Sequence, residues 1–185
     1  MRNIQKVFRF IWLLSCFICC FPLANYAYSL RQFSNKNGLS NSAILSLHQD
    51  YQGVIWIGSC DGLNVFDGTR IQVYTPVYSS ETLLSGNLIN HIMEAEENVL
   101  WIQTNYGLDR LDTKHQICQS FPDFKDNNYI TKSEDNELFI VKDDGYLYHY
   151  QREKQDFRKL EVPPVAFEHV LSTIIDENNI LWIFT

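Results

Sequence analysis

Basic clusters, paired cysteines and long apolar runs are what this sequence lacks, and each absence closes off a class of function. Over the whole chain 15 Lys and Arg stand against 22 Asp and Glu, a formal net charge of −7. Arg2, Lys6 and Arg9 lie in the first 29 residues, which contain no acid, so the remainder is more acidic still. Such a body offers no Lys/Arg cluster to neutralise phosphates, which excludes nucleic acid as a partner. It also argues against docking on anionic lipid. Of the five cysteines, Cys16, Cys19 and Cys20 fall in the same leader. Cys60 and Cys118 are far apart and have no CxxC spacing, so neither a zinc site nor a redox pair is supported. Two free, partly buried thiols are expected. No apolar run of the ~20 residues needed to span a membrane follows residue 29. Helical signals are scarce as well: no window of the body joins a 3.6-residue apolar period to a cap at each end.

The leader itself is a different material. Its basic residues precede an apolar run over residues 10–21, and small residues after Pro22 suit cleavage behind Ala27 or before Leu30. This is the pattern of a secretory signal peptide. Residues 7–28 also serve as an uncleaved anchor if the apolar run continues through Pro22, and Leu13-Leu14-Ser15-Cys16 resembles a lipoprotein box. Residues 1–29 are therefore read as a signal peptide or N-terminal anchor, and the body as periplasmic.

What is present is a repeat. Gly53-Val54-Ile55-Trp56-Ile57-Gly58 and Gly62-Leu63 return 45 residues later as Val99-Leu100-Trp101-Ile102 and Gly107-Leu108, with Asp67 returning as Asp112. Leu39-Ser40 recurs as Leu84-Ser85, and Ile44 as Ile89. A worn third copy centres on Leu138-Phe139-Ile140, and a fourth runs from Val170 to Ile180-Leu181-Trp182-Ile183. A period of roughly 40–45 residues with several short strands per unit predicts propeller blades.

The first unit supplies four strands, over residues 44–49, 54–57, 63–66 and 71–74, separated by Asp- and Gly-containing turns. The first is expected to be buried on both faces, because its apolar and polar residues alternate only loosely. The second unit has strands over 89–94, 99–104, 108–111 and 116–121. The third has them over 128–132, 138–141, 147–150 and 157–160. Residues 28–33 resemble an outer strand that closes another blade. The fold class is thus all-β, a partial β-propeller of about three four-stranded blades plus a half blade. The blades span about 39–82, 83–126, 127–164 and 165–185, the last incomplete.

The set Ile44, Asp50, Gly53, Trp56-Ile57-Gly58, Gly62-Leu63 and Phe66-Asp67 resembles the two-component regulator propeller repeat. With Gly38-Leu39-Ser40-Asn41-Ser42 and the leader, the chain is similar to the start of the periplasmic sensor region of hybrid two-component regulators. That resemblance implies a ligand-sensing propeller, commonly for glycan fragments, and an oligosaccharide as partner. It also implies the remaining blades and β-sandwich of a full-length sensor, with a kinase that these 185 residues do not contain. The chain is accordingly read as an N-terminal fragment, not an enzyme, with self-association through exposed edges. A secreted propeller enzyme acting on glycans and a scaffolding propeller are the alternatives.

No catalytic set, cofactor motif or metal-ligand spacing can be named among the residues. The histidines share no ligand spacing, and the acids do not form the alternating pattern of a calcium loop. Trp56, Trp101 and Trp182 read as blade-packing residues. By analogy with propeller sites, where loops converge on the central channel, the ligand-binding candidates are the loop residues Asp61, Asn105, Tyr106, Asp143 and Asp144.

Overall fold

A computed structural model describes residues 30–74, 84–125, 128–142, 145–162 and 170–185. Residues 33–185 form one compact unit. The leader, Asp143, Asp144 and the crossing at Pro163-Pro164 lie outside the described residues.

Four antiparallel sheets follow one another in chain order. The first holds β1 (Ile44–Gln49), β2 (Ile55–Ser59), β3 (Gly62–Phe66) and β4 (Ile71–Tyr74), paired in that order. The second holds β5 (Ile89–Glu96), β6 (Val99–Thr104), β7 (Gly107–Asp112) and β8 (Ile117–Phe121). The third holds β9 (Asn128–Lys132), β10 (Leu138–Lys142), β11 (Leu147–Gln151) and β12 (Asp156–Lys159). The last pairs β13 (Ser172–Ile175) with β14 (Leu181–Phe184). Among the described residues the only helical pieces are short 3-10 turns at Asn35–Asn37 and Pro122–Phe124. The protein is an all-β, partial propeller.

The first and last units share an Asp-capped turn, and all four units share its left-handed residue. Asp50 Oδ1 accepts from the backbone N–H groups of Gln52 (3.0 Å) and Val54 (2.9 Å), and its Oδ2 accepts from the Trp56 indole at 2.8 Å. Asp176 does the same for Asn178, Ile180 and Trp182. Those bonds lower the Asp176 pKa, led by the Trp182 indole. Three residues before each aromatic, the chain enters the left-handed region: Gly53 (φ 83°), Asn98 (65°), Asn136 (60°) and Asn179 (59°). Asn is among the few non-glycine residues to adopt that conformation readily.

The sheets pack face to face. Trp56 and Leu63 of the first bury against Leu84, Ile89, Ile92 and Leu100 of the second. The next interface is aromatic. Trp101 is fully buried and meets Tyr150 edge-on at 4.6 Å and Phe157 at 5.6 Å, with Phe121 and Phe124 in the same cluster. Burial of such rings is the main source of cohesion between blades.

Two expectations are corrected. β1 is not buried on both faces: Leu45 and Leu47 are 46% and 67% exposed. β1 is an edge strand, and no described neighbour covers its Leu45–Leu47 face, whereas Ser46 is turned toward the second sheet beside Gly58 and Ile89. The expected strand over residues 28–33 is also absent from its described part, residues 30–33. The Phe33 ring instead packs on Phe66 at 4.9 Å, and Ser34 caps the 3-10 turn by accepting from Lys36 N–H. A strand needs a partner edge, and among the described residues none pairs there.

Candidate functional site

The loop rim is built from a polar network that repeats at the 45-residue offset. In the first unit Ser40 N–H donates to Asn64 Oδ1 (2.8 Å), and the Ser40 and Ser59 hydroxyls bond each other (2.9 Å). In the second, Ser85 N–H donates to Asp109 Oδ2 (2.7 Å), and the Ser85 and Thr104 hydroxyls bond each other (2.9 Å). Ser59 and Thr104 each donate to the carbonyl of the following glycine, Gly62 and Gly107. Burial pushes the Asp109 carboxyl above the ordinary carboxylate range, and hydrogen bonds from Ser120 and Ser85 offset part of that rise. Burial and the Asp109 carboxylate together push the neighbouring Cys118 thiol up to about 12. Cys118 is thereby an unreactive thiol. Both Cys60 and Cys118 are free.

The rim candidates serve this framework. Asp61 Oδ1 accepts from Asn87 Nδ2 at 2.9 Å, while Gly62 N–H donates to the Asn87 carbonyl. Asn105 Oδ1 accepts from Leu88 N–H at 3.4 Å. Asp61 and Asn105 thus flank and hold the segment that enters β5, where a Cβ on Gly86 would stand 2.3 Å from Asn105 Oδ1 and 3.0 Å from Thr104 Cβ. The Tyr106 ring, 62% exposed, is the one described candidate that projects free of this tie. Asp143 and Asp144 lie outside the described residues. The structure places Asp61 and Asn105 on either side of the same segment, both of them exposed at the rim.

A concave site lies instead between the first strands of three successive sheets. A cavity of about 410 Å³ is lined by β5, β9 and β13, with Asn90, His91, Gln103, Tyr129, Ser172 and Thr173 on its walls. Among the described residues no Asp, Glu, Lys or Arg lines it. Gln103 is 3% exposed; its Nε2 donates to the Phe124 carbonyl at 2.8 Å, and its Oε1 is buried without a protein partner. The Thr173 hydroxyl is likewise buried and unpartnered. A buried polar atom left without a hydrogen bond costs about 1–3 kcal/mol, so such atoms mark places where water or a ligand is expected. Desolvation, and secondarily His48, lower the His91 pKa below the ordinary imidazole value. The Tyr129 hydroxyl donates to the Val170 carbonyl and ties the last sheet to the third.

This cavity was missed by sequence reasoning because its walls come from positions far apart along the chain. One signal was present: Gln103 stands 45 residues after Gly58, so a bulky amide replaces a glycine inside an otherwise kept motif. A second cavity, of about 350 Å³, lies between the third and fourth sheets beside Phe139, Leu147, Ile175 and Leu181. Among the described residues no group of three or more His, Cys, Asp or Glu is placed to hold a metal ion. No helix there is long and apolar enough to cross a membrane.

Comparison with known proteins agrees with the repeat. Residues 38–61 match the two component regulator propeller family. Over 74 residues the chain is 38% identical to a Formosa agariphila protein named Histidine kinase P4, covering 40% of this chain and 5% of that one. The fold superposes on an extracellular domain from B. thetaiotaomicron, described as that of the hybrid two component system BT3049, with a TM-score of 0.71 and 26% identity. That match covers 85% of this chain and 24% of the other, so the chain spans about a quarter of its length. The WD40 β-propeller domain of Doa1 matches in fold alone, with a TM-score of 0.57 at 9% identity.

Proposed function

Because the chain carries the two component regulator propeller repeat, we propose that it is the ligand-receiving end of a hybrid two-component regulator, exported from the cytoplasm and sensing a glycan fragment. The observation that carries this reading is the likeness to the B. thetaiotaomicron extracellular domain over 85% of this chain. The leader over residues 1–29 supports export, and the Formosa agariphila relative supplies the kinase identity expected of the output. The propeller binds its ligand and leaves it chemically unchanged; the signal is carried by other blades and domains of a longer sensor.

The test is genetic. The gene is deleted, and transcripts are compared with wild type during growth on single purified polysaccharides. Loss of induction of a polysaccharide-specific gene set on one substrate is the expected result. Identical transcripts on every polysaccharide would remove the reading.

A further inference from the structure

We propose that the cavity walled by β5, β9 and β13 binds a neutral polyhydroxylated ligand, with the Gln103 carbonyl oxygen and the Thr173 hydroxyl as its hydrogen-bonding partners. This rests on the receptor reading above and goes further by naming the place and the charge of the ligand.

Three observations converge on it. The first is the wall, where Asn90, His91, Gln103, Ser172 and Thr173 offer donors and acceptors and, among the described residues, no Asp, Glu, Lys or Arg takes part. A charged ligand would enter without a counter-ion, which burial penalises heavily. A neutral one that exchanges hydrogen bonds with amides and hydroxyls does not meet that penalty. His91, on the same wall, adds an imidazole ring, which in its neutral form has one donor and one acceptor.

The second is Gln103 itself. In the preceding unit its counterpart is Gly58, where a Cβ would stand 2.7 Å from Ile89 Cγ2 of the next sheet. A glutamine at that station requires the next sheet to stand further away, and the cavity occupies the opening. The bond from Nε2 to the Phe124 carbonyl fixes the amide, which leaves Oε1 as an oriented acceptor with no protein donor.

The third is Thr173, whose buried, unpartnered hydroxyl lies on the wall contributed by the last sheet. A lone acceptor and a hydroxyl across one space suit a ligand whose own hydroxyls donate and accept at once. At about 410 Å³ the cavity falls within the ~300–1,000 Å³ of small-molecule sites. It is far larger than the ~30 Å³ share of one water molecule.

The experiment uses the full chain. A panel of neutral disaccharides (maltose, cellobiose, xylobiose, mannobiose) and a matched panel of uronic-acid disaccharides are screened by saturation-transfer NMR, and binders are titrated calorimetrically. Wild type is compared with Thr173→Val and Gln103→Met. Thr173→Val removes a hydroxyl that bonds nothing in the protein, so its unfolding midpoint should stay unchanged. The expected result is binding of at least one neutral disaccharide, weakened roughly tenfold in each variant. Binding of acidic disaccharides only, of no neutral disaccharide, or with equal affinity in both variants would overturn the proposal. If deletion of the gene abolishes a glycan response while both variants bind normally, the receptor reading stands and this site falls. If the variants lose binding while deletion leaves transcription unchanged, the site stands and the receptor reading falls.

Discussion

Asn64 and Asp109 hold the same place in successive repeats, and the difference between an amide and a carboxyl separates them. Asn64 uses both ends of its side chain: Oδ1 accepts from Ser40 N–H, and Nδ2 donates to the Ile57 and Gly62 carbonyls at 3.1 and 3.3 Å. Asp109 accepts from Ser85 in the same way but has no N–H to offer the equivalent Ile102 and Gly107 carbonyls. Its pKa is raised, chiefly by burial. The folded state therefore favours the protonated acid. Its stabilising contribution is complete below the unfolded pKa and is lost as pH rises through the folded one. Asp109→Asn restores the missing donor and removes the buried charge. It should stabilise the chain by about 1–2 kcal/mol at pH 7, and this gain should shrink as pH falls into the ordinary carboxylate range. Urea denaturation of both proteins at pH 7 and at successively lower pH measures it; an Asn variant less stable at pH 7, or a gain independent of pH, would contradict the assignment.

At the scale of strands, glycine decides how closely two sheets approach. Gly58 sits in β2, where a Cβ would come within 2.3 Å of Ser46 Oγ and 2.9 Å of the Ile89 carbonyl oxygen. It is small so that the first strand of the second sheet can close on the first sheet. Gly58→Ala should destabilise by about 1–3 kcal/mol through overpacking, read as a lower midpoint in chemical denaturation; an unchanged midpoint would show that the two sheets are not held at this distance. The strands themselves were legible from the sequence, because Trp56, Trp101 and the Gly-Leu pairs mark the same station in each unit. Among the described residues all fourteen strands overlap the segments read from pattern, within two residues at most boundaries. The asparagines at 98, 136 and 179 were not legible as turn formers, since their left-handed backbone is visible only when aligned on Gly53. The exposure of Leu45 and Leu47 was hidden for another reason: pattern shows that a residue is apolar, not whether a neighbouring sheet arrives to cover it. The cavity escaped for the same cause, as Gln103 and Thr173 come from different sheets and share only its lining.

At the scale of the molecule, each sheet is stabilised by the faces it shares, and the two ends of the row differ from its middle. Trp101, between the second and third sheets, is fully buried, whereas Trp182 in the last sheet is 51% exposed. Ile174, the cross-strand partner of Trp182, is 54% exposed, and Ile180 and Phe184 are 51% exposed beside them. At the other end Leu45 and Leu47 are open. At ~25 cal/mol per Å², a few hundred Å² of uncovered apolar surface is worth several kcal/mol, against a total stability of about 5–15 kcal/mol for a domain. Repeat arrays normally close such ends with capping units. The central claim is that these repeats are sectors of a ring which depend on neighbours for cohesion. Sedimentation velocity on residues 30–185 expressed alone, across a range of concentrations and combined with thermal unfolding, tests it most directly. The account predicts a mass that rises with concentration, a broad transition, and a shift toward monomer in Trp182→Lys; a wild-type monomer at all concentrations, unfolding in one sharp cooperative step, would contradict it.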